Sequence, residues 1–401
     1  MKFYRNTVNA VLEILTEVFI EKRYADKVIE HVLKKNSRWG ARDRRFIAES
    51  SYEIIRWWRL IKDCAGVHEN NAENMWKIFG AWCSLNEIGP PDWEEFQKVD
   101  HAKIHKNYQR LQHAFKIRES IPDWMDEMGR AELTADKWED EMRALNEQAN
   151  VVLRVNRLKT TRPELQKKLQ EQDVETEAIS WCPDGLILTR RQNVFRLPLF
   201  KEGHFEVMDA SSQDVAAFLD VKPGMRVIDA CAGGGGKSLH LAAMMENKGR
   251  IISMDVEQWK LDELKKRAKR AGATNIEPKV IDSTKTIKRL HGTADRLLLD
   301  VPCSGMGVLK RNPDAKWKLT PEFIESVKKT QQELLENYSK MLKVGGLMVY
   351  STCSLLPSED EKQVETFLNN HKGEYELLKE KRHWPSEGFD GFYMALVKRC
   401  H

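Results

Sequence analysis

The chain lacks the features that would place it quickly. Its 401 residues hold 7 cysteines, yet no two form Cys-x-x-Cys. Neither a zinc ribbon nor a redox dithiol is therefore indicated, and no metal is expected. Cys64, Cys83, Cys182, Cys231, Cys303, Cys353 and Cys400 are odd in number and scattered, which suits free thiols in a reducing cytoplasm. No apolar run approaches the length of a membrane span. The start, Met1-Lys2-Phe3-Tyr4-Arg5-Asn6, leads into an amphipathic pattern and not an apolar core, so no signal peptide is evident. Charge of one sign is also scarce: the net +4 permits nucleic-acid binding without arguing for it. What is present is a hydrophobic fraction of 41%, which suits a soluble globular protein of two or three domains.

Residues 1–120 read as helix throughout. Val8, Val11, Leu12, Leu15, Val18 and Phe19 recur at helical spacing, as do Ala25, Val28, Ile29, Val32 and Leu33. Asp43 opens a further helical segment. Gly89-Pro90-Pro91-Asp92 breaks the pattern, with Asp92 expected to cap a following helix. Arg38, Arg42, Arg44, Arg45, Arg56 and Arg59 are candidates for phosphate contacts if this region binds RNA. Ile121-Pro122-Asp123 marks a join, with Asp123 placed to cap the next helix. Residues 121–210 then form a linker and a small mixed α/β segment. Its strands are expected at 151–156, 186–188 and 205–208, with a helix at 162–172.

Residues 211–401 alternate strand and helix. Strands are expected at 225–229, 251–255, 279–282 and 296–300, with a helix over 257–271. The pattern is that of βαβ units in a doubly wound, mostly parallel, Rossmann-like sheet. Each of the four strands is read as ending in an aspartate: Asp229, Asp255, Asp282 and Asp300. One such acid is an ordinary helix cap. Four at successive strand ends make an acidic rim over one crevice, where ligands of open α/β sheets bind.

The first strand runs into Asp229-Ala230-Cys231-Ala232-Gly233-Gly234-Gly235-Gly236-Lys237-Ser238. A P-loop fails, because Cys231 stands where its first glycine is required. The dinucleotide pattern begun at Gly233 also fails, ending on Ser238. A glycine loop flanked by carboxylates suits S-adenosylmethionine, with its ammonium and sulfonium, better than a pyrophosphate. Asp255 is placed for ribose hydroxyls and Asp282 for an adenine amino group. Lys237 is the discordant charge, a partner for the methionine carboxylate or for an internal aspartate.

Leu297-Leu298-Leu299-Asp300-Val301-Pro302-Cys303-Ser304-Gly305 ends a buried strand on an acid and carries a thiol into the turn. Cys353 follows Met348-Val349-Tyr350-Ser351-Thr352 in a matching position. Either cysteine alone reads as buried core. Two thiols beside a methyl donor suit methylation at carbon 5 of a pyrimidine. A thiolate added to carbon 6 makes carbon 5 nucleophilic. Asp300 is placed to hold the ring nitrogen and exocyclic amine. The basic stretch Lys310, Arg311, Lys316 and Lys318 around Trp317 would suit a nucleic-acid backbone and an unstacked base.

These pieces together resemble the Sun/RsmB-like (Nop/Sun) family of RNA 5-methylcytosine methyltransferases. The resemblance is carried by Arg154-Val155-Asn156-Arg157-Leu158-Lys159, Asp209-Ala210-Ser211-Ser212-Gln213 and the glycine loop. It continues through Asp300 to Gly305, Arg311 to Trp317, Ser351 to Ser354, and Asp390-Gly391-Phe392-Tyr393-Met394-Ala395. It covers about 121 to 398, and the helical region looks like the NusB-like domain of the bacterial members. The resemblance implies that Cys353 is the nucleophile and that Cys303 assists release of product. It implies that Cys231, Ala232, Gly233, Gly234, Gly235, Gly236 and Lys237, with Asp255, Asp282 and Asp300, hold S-adenosylmethionine. It departs from the family where Gly233-Gly234 replace Ala-Pro, where Lys260 replaces a common arginine, and where Met208 replaces a glutamine. The expected function is cytosine-5 methylation of ribosomal RNA by a cytoplasmic monomer that engages no membrane. Transfer RNA as substrate, or a catalytically silent RNA-binding scaffold, are the alternatives.

Overall fold

Apolar residues at helical spacing build the first unit. The computed structural model describes residues 3–97 and 99–401, and contacts divide it into two units. One comprises residues up to Glu147 together with Leu309–Pro321; the other is Gln148–Val308 with Glu322–His401. In the first, helices Arg5–Phe19, Ala25–Lys35, Ala41–Arg56, Trp58–Ala65 and Ala72–Leu85 close around one core. Val11, Leu15, Val28, Ile54, Ile78 and Phe79 lie at its centre. Helices His101–Leu111, Asp123–Glu132 and Ala135–Asn146 follow. Two expected caps are corrected. A single 3-10 turn, Glu94–Phe96, follows Asp92, and the next helix is capped by Asp100, which accepts from Lys103 N. Asp123 is the first residue of its helix; its carboxylate takes Arg59 and Lys116 instead.

The segment Leu309–Pro321 overturns the reading of its basic residues as a nucleic-acid surface. Lys310 and Lys316 are buried. Lys316 Nζ donates to Arg56 O at 2.9 Å and to Asn146 Oδ1 at 3.0 Å. Burial pushes the Lys316 ammonium well below its usual range. Trp317 Nε1 donates to Ile55 O at 2.8 Å, and Lys318 Nζ to Arg23 O at 2.7 Å. Lys316 and Trp317 close the end of helix Ala41–Arg56, because carbonyls of the last turn have no partner within the helix. Arg44, Arg56 and Arg59 likewise spend their guanidinium groups on carbonyl oxygens of Leu33, Leu145 and Ile121, leaving Arg38, Arg42 and Arg45 exposed.

The second unit holds two sheets. Strands β1 (Val152–Val155), β2 (Thr176–Ala178), β3 (Gly185–Leu188) and β4 (Phe205–Val207) make an antiparallel sheet in the order β2-β3-β1-β4. Helix Arg162–Gln170 begins on a capping box between Thr161 and Glu164. The larger sheet comprises β5 (Arg226–Asp229), β6 (Arg250–Asp255), β7 (Ile276–Val280) and β8 (Ala294–Asp300). It is completed by β9 (Leu342–Thr352), β10 (Tyr375–His383) and β11 (Phe392–Arg399). Their order is β10-β11-β9-β8-β5-β6-β7. All neighbours from β9 to β7 run parallel, and β11 is antiparallel to both β9 and β10. The fold is thus a Rossmann-like α/β sheet, and the strand order reverses between β5 and β8. Carboxyl ends of strands at such a reversal frame the ligand crevice. Leu297, Leu298 and Leu299 are buried on both faces, as an inner parallel strand requires. Among the described residues no helix is long and apolar enough to cross a membrane.

Candidate active site

Parallel pairing of β8 with β9 sets Asp300 opposite Ser351. The same register brings the residues beyond each strand together. Cys303 Sγ and Cys353 Sγ lie 3.3 Å apart, although the two thiols are 50 positions apart in sequence. The neighbouring Cys353 sulfur, and then burial, push the Cys303 thiol well above its usual range. Either sulfur can donate to the other across this contact. The remote thiols Cys64, Cys83 and Cys182 are each pushed to about 12 by burial, as expected of inert core cysteines.

A buried carboxylate clamps the two cysteine loops. Glu359 Oε2 accepts from Ser304 N at 2.8 Å and from Gln331 Nε2 at 3.0 Å, while Oε1 accepts from Ser354 Oγ at 2.7 Å. Ser304 and Ser354 directly follow the two thiols, and their hydroxyls meet at 3.2 Å. A third loop closes on the pair. Gly307 N donates to Cys353 O at 2.9 Å, and Gly391 N to Gly307 O at 2.8 Å. A Cβ on Gly307 would stand 2.4 Å from Gly391 O, so only glycine allows this approach.

Lys237 settles on the internal aspartate: its Nζ donates to Asp300 Oδ2 at 2.6 Å, and it sits 5.1 Å from the centre of the Phe392 ring. Ser351 Oγ donates to the other oxygen of Asp300 at 3.0 Å. The glycine loop between β5 and helix Gly236–Met244 is anchored at three points. Gly233 N donates to Asp255 Oδ2 at 3.0 Å. Gly235 has φ +82° and packs against Leu264. Arg267 Nη1 donates to Gly234 O at 2.8 Å, with its Nη2 on Glu206 Oε2 at 3.0 Å.

The expected acidic rim needs two corrections. Asp229 lies under the loop, fully buried, accepting from Ser238 Oγ at 2.6 Å. Burial pushes its carboxyl up to about 7. Strand β7 ends at Val280, so Asp282 does not end a strand; it sits on the following turn, accepting from Thr286 Oγ1 and Ser283 Oγ. Asp255 and Asp300 do end their strands.

The residues fit an S-adenosylmethionine. Asp229 Oδ1 is buried without a hydrogen-bond partner. A Cβ at Gly233 would meet open space, so the loop leaves room above it. Asp255 is followed by exposed apolar Val256 and Trp259, a surface suited to a nucleoside. Cys231, Ala232, Gly233, Gly234, Gly235, Gly236 and Lys237 surround this space from the β5 side.

Sequence reasoning missed Glu359, Gln331 and Arg267. Glu359 carried a faint signal, an acid pair Glu359-Asp360 just after Leu355-Leu356-Pro357. Arg267 carried none, since it is one of many charges on helix Gln258–Ala271. Motif residue Asn156 is structural: its Nδ2 donates to Gly203 O at 2.7 Å and Ala271 O at 2.8 Å.

A seven-stranded Rossmann-like sheet with a glycine loop and acids at strand ends defines a class, the S-adenosylmethionine-dependent methyltransferases. Residues 216–398 match the family model "16S rRNA methyltransferase RsmB/F", and residues 121–195 match its ferredoxin-like domain. The "Probable ribosomal RNA small subunit methyltransferase B" of Synechocystis sp. is 38% identical over 94% of this chain and 90% of its own length. A crystal structure of PH0851 superposes with TM-score 0.85 at 26% identity, covering 100% of both chains. A methyltransferase homolog from Pyrococcus horikoshii gives TM-score 0.63 at 28% identity, over 71% of this chain and 97% of its own. The chain belongs to the RsmB/F methyltransferase family, and S-adenosylmethionine is its cofactor.

Proposed function

We propose that the protein methylates carbon 5 of a cytosine in ribosomal RNA through a covalent bond from Cys353 to carbon 6 of the ring. The observation that carries this is the thiol pair, 3.3 Å apart, at the ends of two adjacent strands beside Asp300. The relatives named for ribosomal RNA small subunits support the substrate class. We place the activity in the cytoplasm and assign it to a monomer.

S-adenosylmethionine, when bound, supplies a methyl group on a sulfonium. Residues 231–237 with Asp255, Asp282 and Asp300 would hold it. Cys353 adds as the thiolate, the role that the family resemblance implies for it, with Cys303 the neighbouring thiol at 3.3 Å. Its sulfur forms a bond to carbon 6, and the electrons of the 5,6 double bond move to carbon 5. Asp300, fixed by Lys237 and Ser351, accepts from the exocyclic amine. After methyl transfer the proton on carbon 5 leaves to a base, the 5,6 double bond re-forms, and the carbon 6–sulfur electrons return to Cys353. Cys303 serves this release step.

The test is adduct trapping with labelled S-adenosylmethionine and RNA from cells lacking the protein. Cys303→Ala should accumulate a protein–RNA species stable in denaturing gels, and Cys353→Ala should form none. Trapping by Cys353→Ala instead would reverse the roles. Label confined to transfer RNA would move the substrate class.

A further inference from the structure

The helical unit contains a pocket that the methyl-transfer chemistry does not use. It is a cavity of about 260 Å³. Three aromatic residues, Trp57, Trp82 and Tyr108, line it together with Glu53 and Arg118. Trp82 is 4% exposed, and its Nε1–H is buried with no acceptor at bonding distance. A buried donor of this kind normally has a partner. The Glu53 carboxyl is the acidic group of the lining that faces this indole, with Arg56 as its nearby charge. Glu119 already takes Arg118 Nε at 3.0 Å and Asn146 Nδ2 at 3.2 Å. Burial raises the Glu53 carboxyl above its usual range, against the opposing effect of Trp82 and Arg56; donors from a ligand would offset that desolvation and hold the carboxylate form.

We infer that this pocket takes an unstacked guanine base of single-stranded RNA, with Glu53 accepting from its N1–H and N2–H groups. The aromatic rings supply stacking surface, which any base can use. The paired donors on one edge single out guanine, since adenine and uracil do not present two adjacent donors. Trp82 Nε1–H is a donor for an acceptor on the base. The choice of nucleic acid over a cationic protein side chain comes from helix His101–Leu111, which contributes Tyr108 to the lining. That helix carries exposed Lys103, Lys106 and Arg110 and no acidic residue. Positive charge on the helix that supplies Tyr108 attracts phosphates. The inference rests on the proposed reading only in that the substrate is RNA; it needs neither cytosine methylation nor the cysteine adduct.

The test uses the full chain without cofactor and fluorescein-labelled oligouridylates carrying one central guanosine or one central adenosine, read by anisotropy. The guanosine probe should bind about tenfold tighter, the discrimination of one bidentate contact. Glu53→Gln should erase that preference while leaving the adenosine probe unchanged. Trp57→Leu should weaken both probes by about tenfold, the loss of one stacking contact. Circular dichroism melts check that both variants remain folded. Equal binding of the two probes by the unaltered protein overturns the inference. So does an arginine-rich peptide whose binding, in place of the guanosine probe's, is lost in Glu53→Gln. Adduct trapping by Cys303→Ala reads the catalytic proposal separately, so either can fail alone.

Discussion

Replacing Glu359 by alanine removes the acceptor on which both cysteine loops hang. The carboxylate is fully buried and takes three donors: Ser304 N, Gln331 Nε2 and Ser354 Oγ. Ser354 Oγ can turn its proton to Ser304 Oγ, 3.2 Å away, so its loss is small. The Ser304 amide has no such alternative, while Gln331 Nε2 keeps Pro302 O at 3.0 Å. A buried donor left unsatisfied costs about 1–3 kcal/mol and the vacated buried volume about 2 kcal/mol more, so Glu359→Ala should destabilise by roughly 3–5 kcal/mol. At ~2–4 °C per kcal/mol for a unit of this size, the melting temperature should fall by about 6–20 °C. Glu359→Gln keeps one acceptor oxygen and should cost about 1–2 kcal/mol. Circular dichroism melts at pH 7 give the first number. The rate at which the 303–353 thiol pair is oxidised by a small disulfide gives a local readout, because loops freed from the clamp hold the sulfurs in register less often. An alanine variant that melts within 2 °C of the parent and oxidises at the same rate would refute the clamp.

Asp229 should make stability fall as pH rises. Its folded carboxyl titrates at about 7 because burial disfavours the charge, and the unfolded one near 3.9. The folded state therefore holds the extra proton between these values, and stability declines from about pH 4 through pH 7, by roughly 4 kcal/mol in all. Urea midpoints at pH 5 and pH 8 should diverge more for the parent than for Asp229→Asn; equal slopes would contradict the assignment. Gly235→Ala should weaken S-adenosylmethionine binding in calorimetry and cost about 1–3 kcal/mol of stability, because φ is +82° and the new Cβ would stand 2.5 Å from Leu264 Cγ. Arg267→Leu frees the Gly234 carbonyl and should raise the cofactor dissociation constant about tenfold, the loss of one charge-assisted hydrogen bond; an unchanged constant would remove Arg267 from the loop's support. Lys316→Gln should lower the melting temperature yet leave the salt dependence of RNA binding unchanged, since that slope counts phosphate contacts and Lys316 is buried on backbone oxygens.

Much of this architecture is local and therefore legible along the chain. Period-two and period-3.6 patterns depend on which face of one element is buried, so β5, β6, β8 and helix Gln258–Ala271 emerged close to their observed bounds. The glycine loop and the strand-end positions of Asp255 and Asp300 follow from adjacent residues. So does the presence of two thiols after two strands. What distance in sequence hides is partnership. Lys316 and Trp317 have the composition of an RNA surface, but the fold spends them on the end of helix Ala41–Arg56. A charge pattern records residue type and not which carbonyl lies within reach. Asp229 and Asp300 look alike as strand-end acids. Only the packed loop makes one a buried carboxyl near neutrality and the other a lysine-paired anion. The sequence alone thus determined a methyltransferase-type sheet, a glycine loop and two candidate thiols, because those are properties of segments. The tertiary structure alone decided that the thiols touch, that Glu359 ties their two loops together, and that Asp229 is buried while Asp300 is paired with Lys237. Those facts arise from the register of β8 against β9 and from burial, which no segment carries by itself.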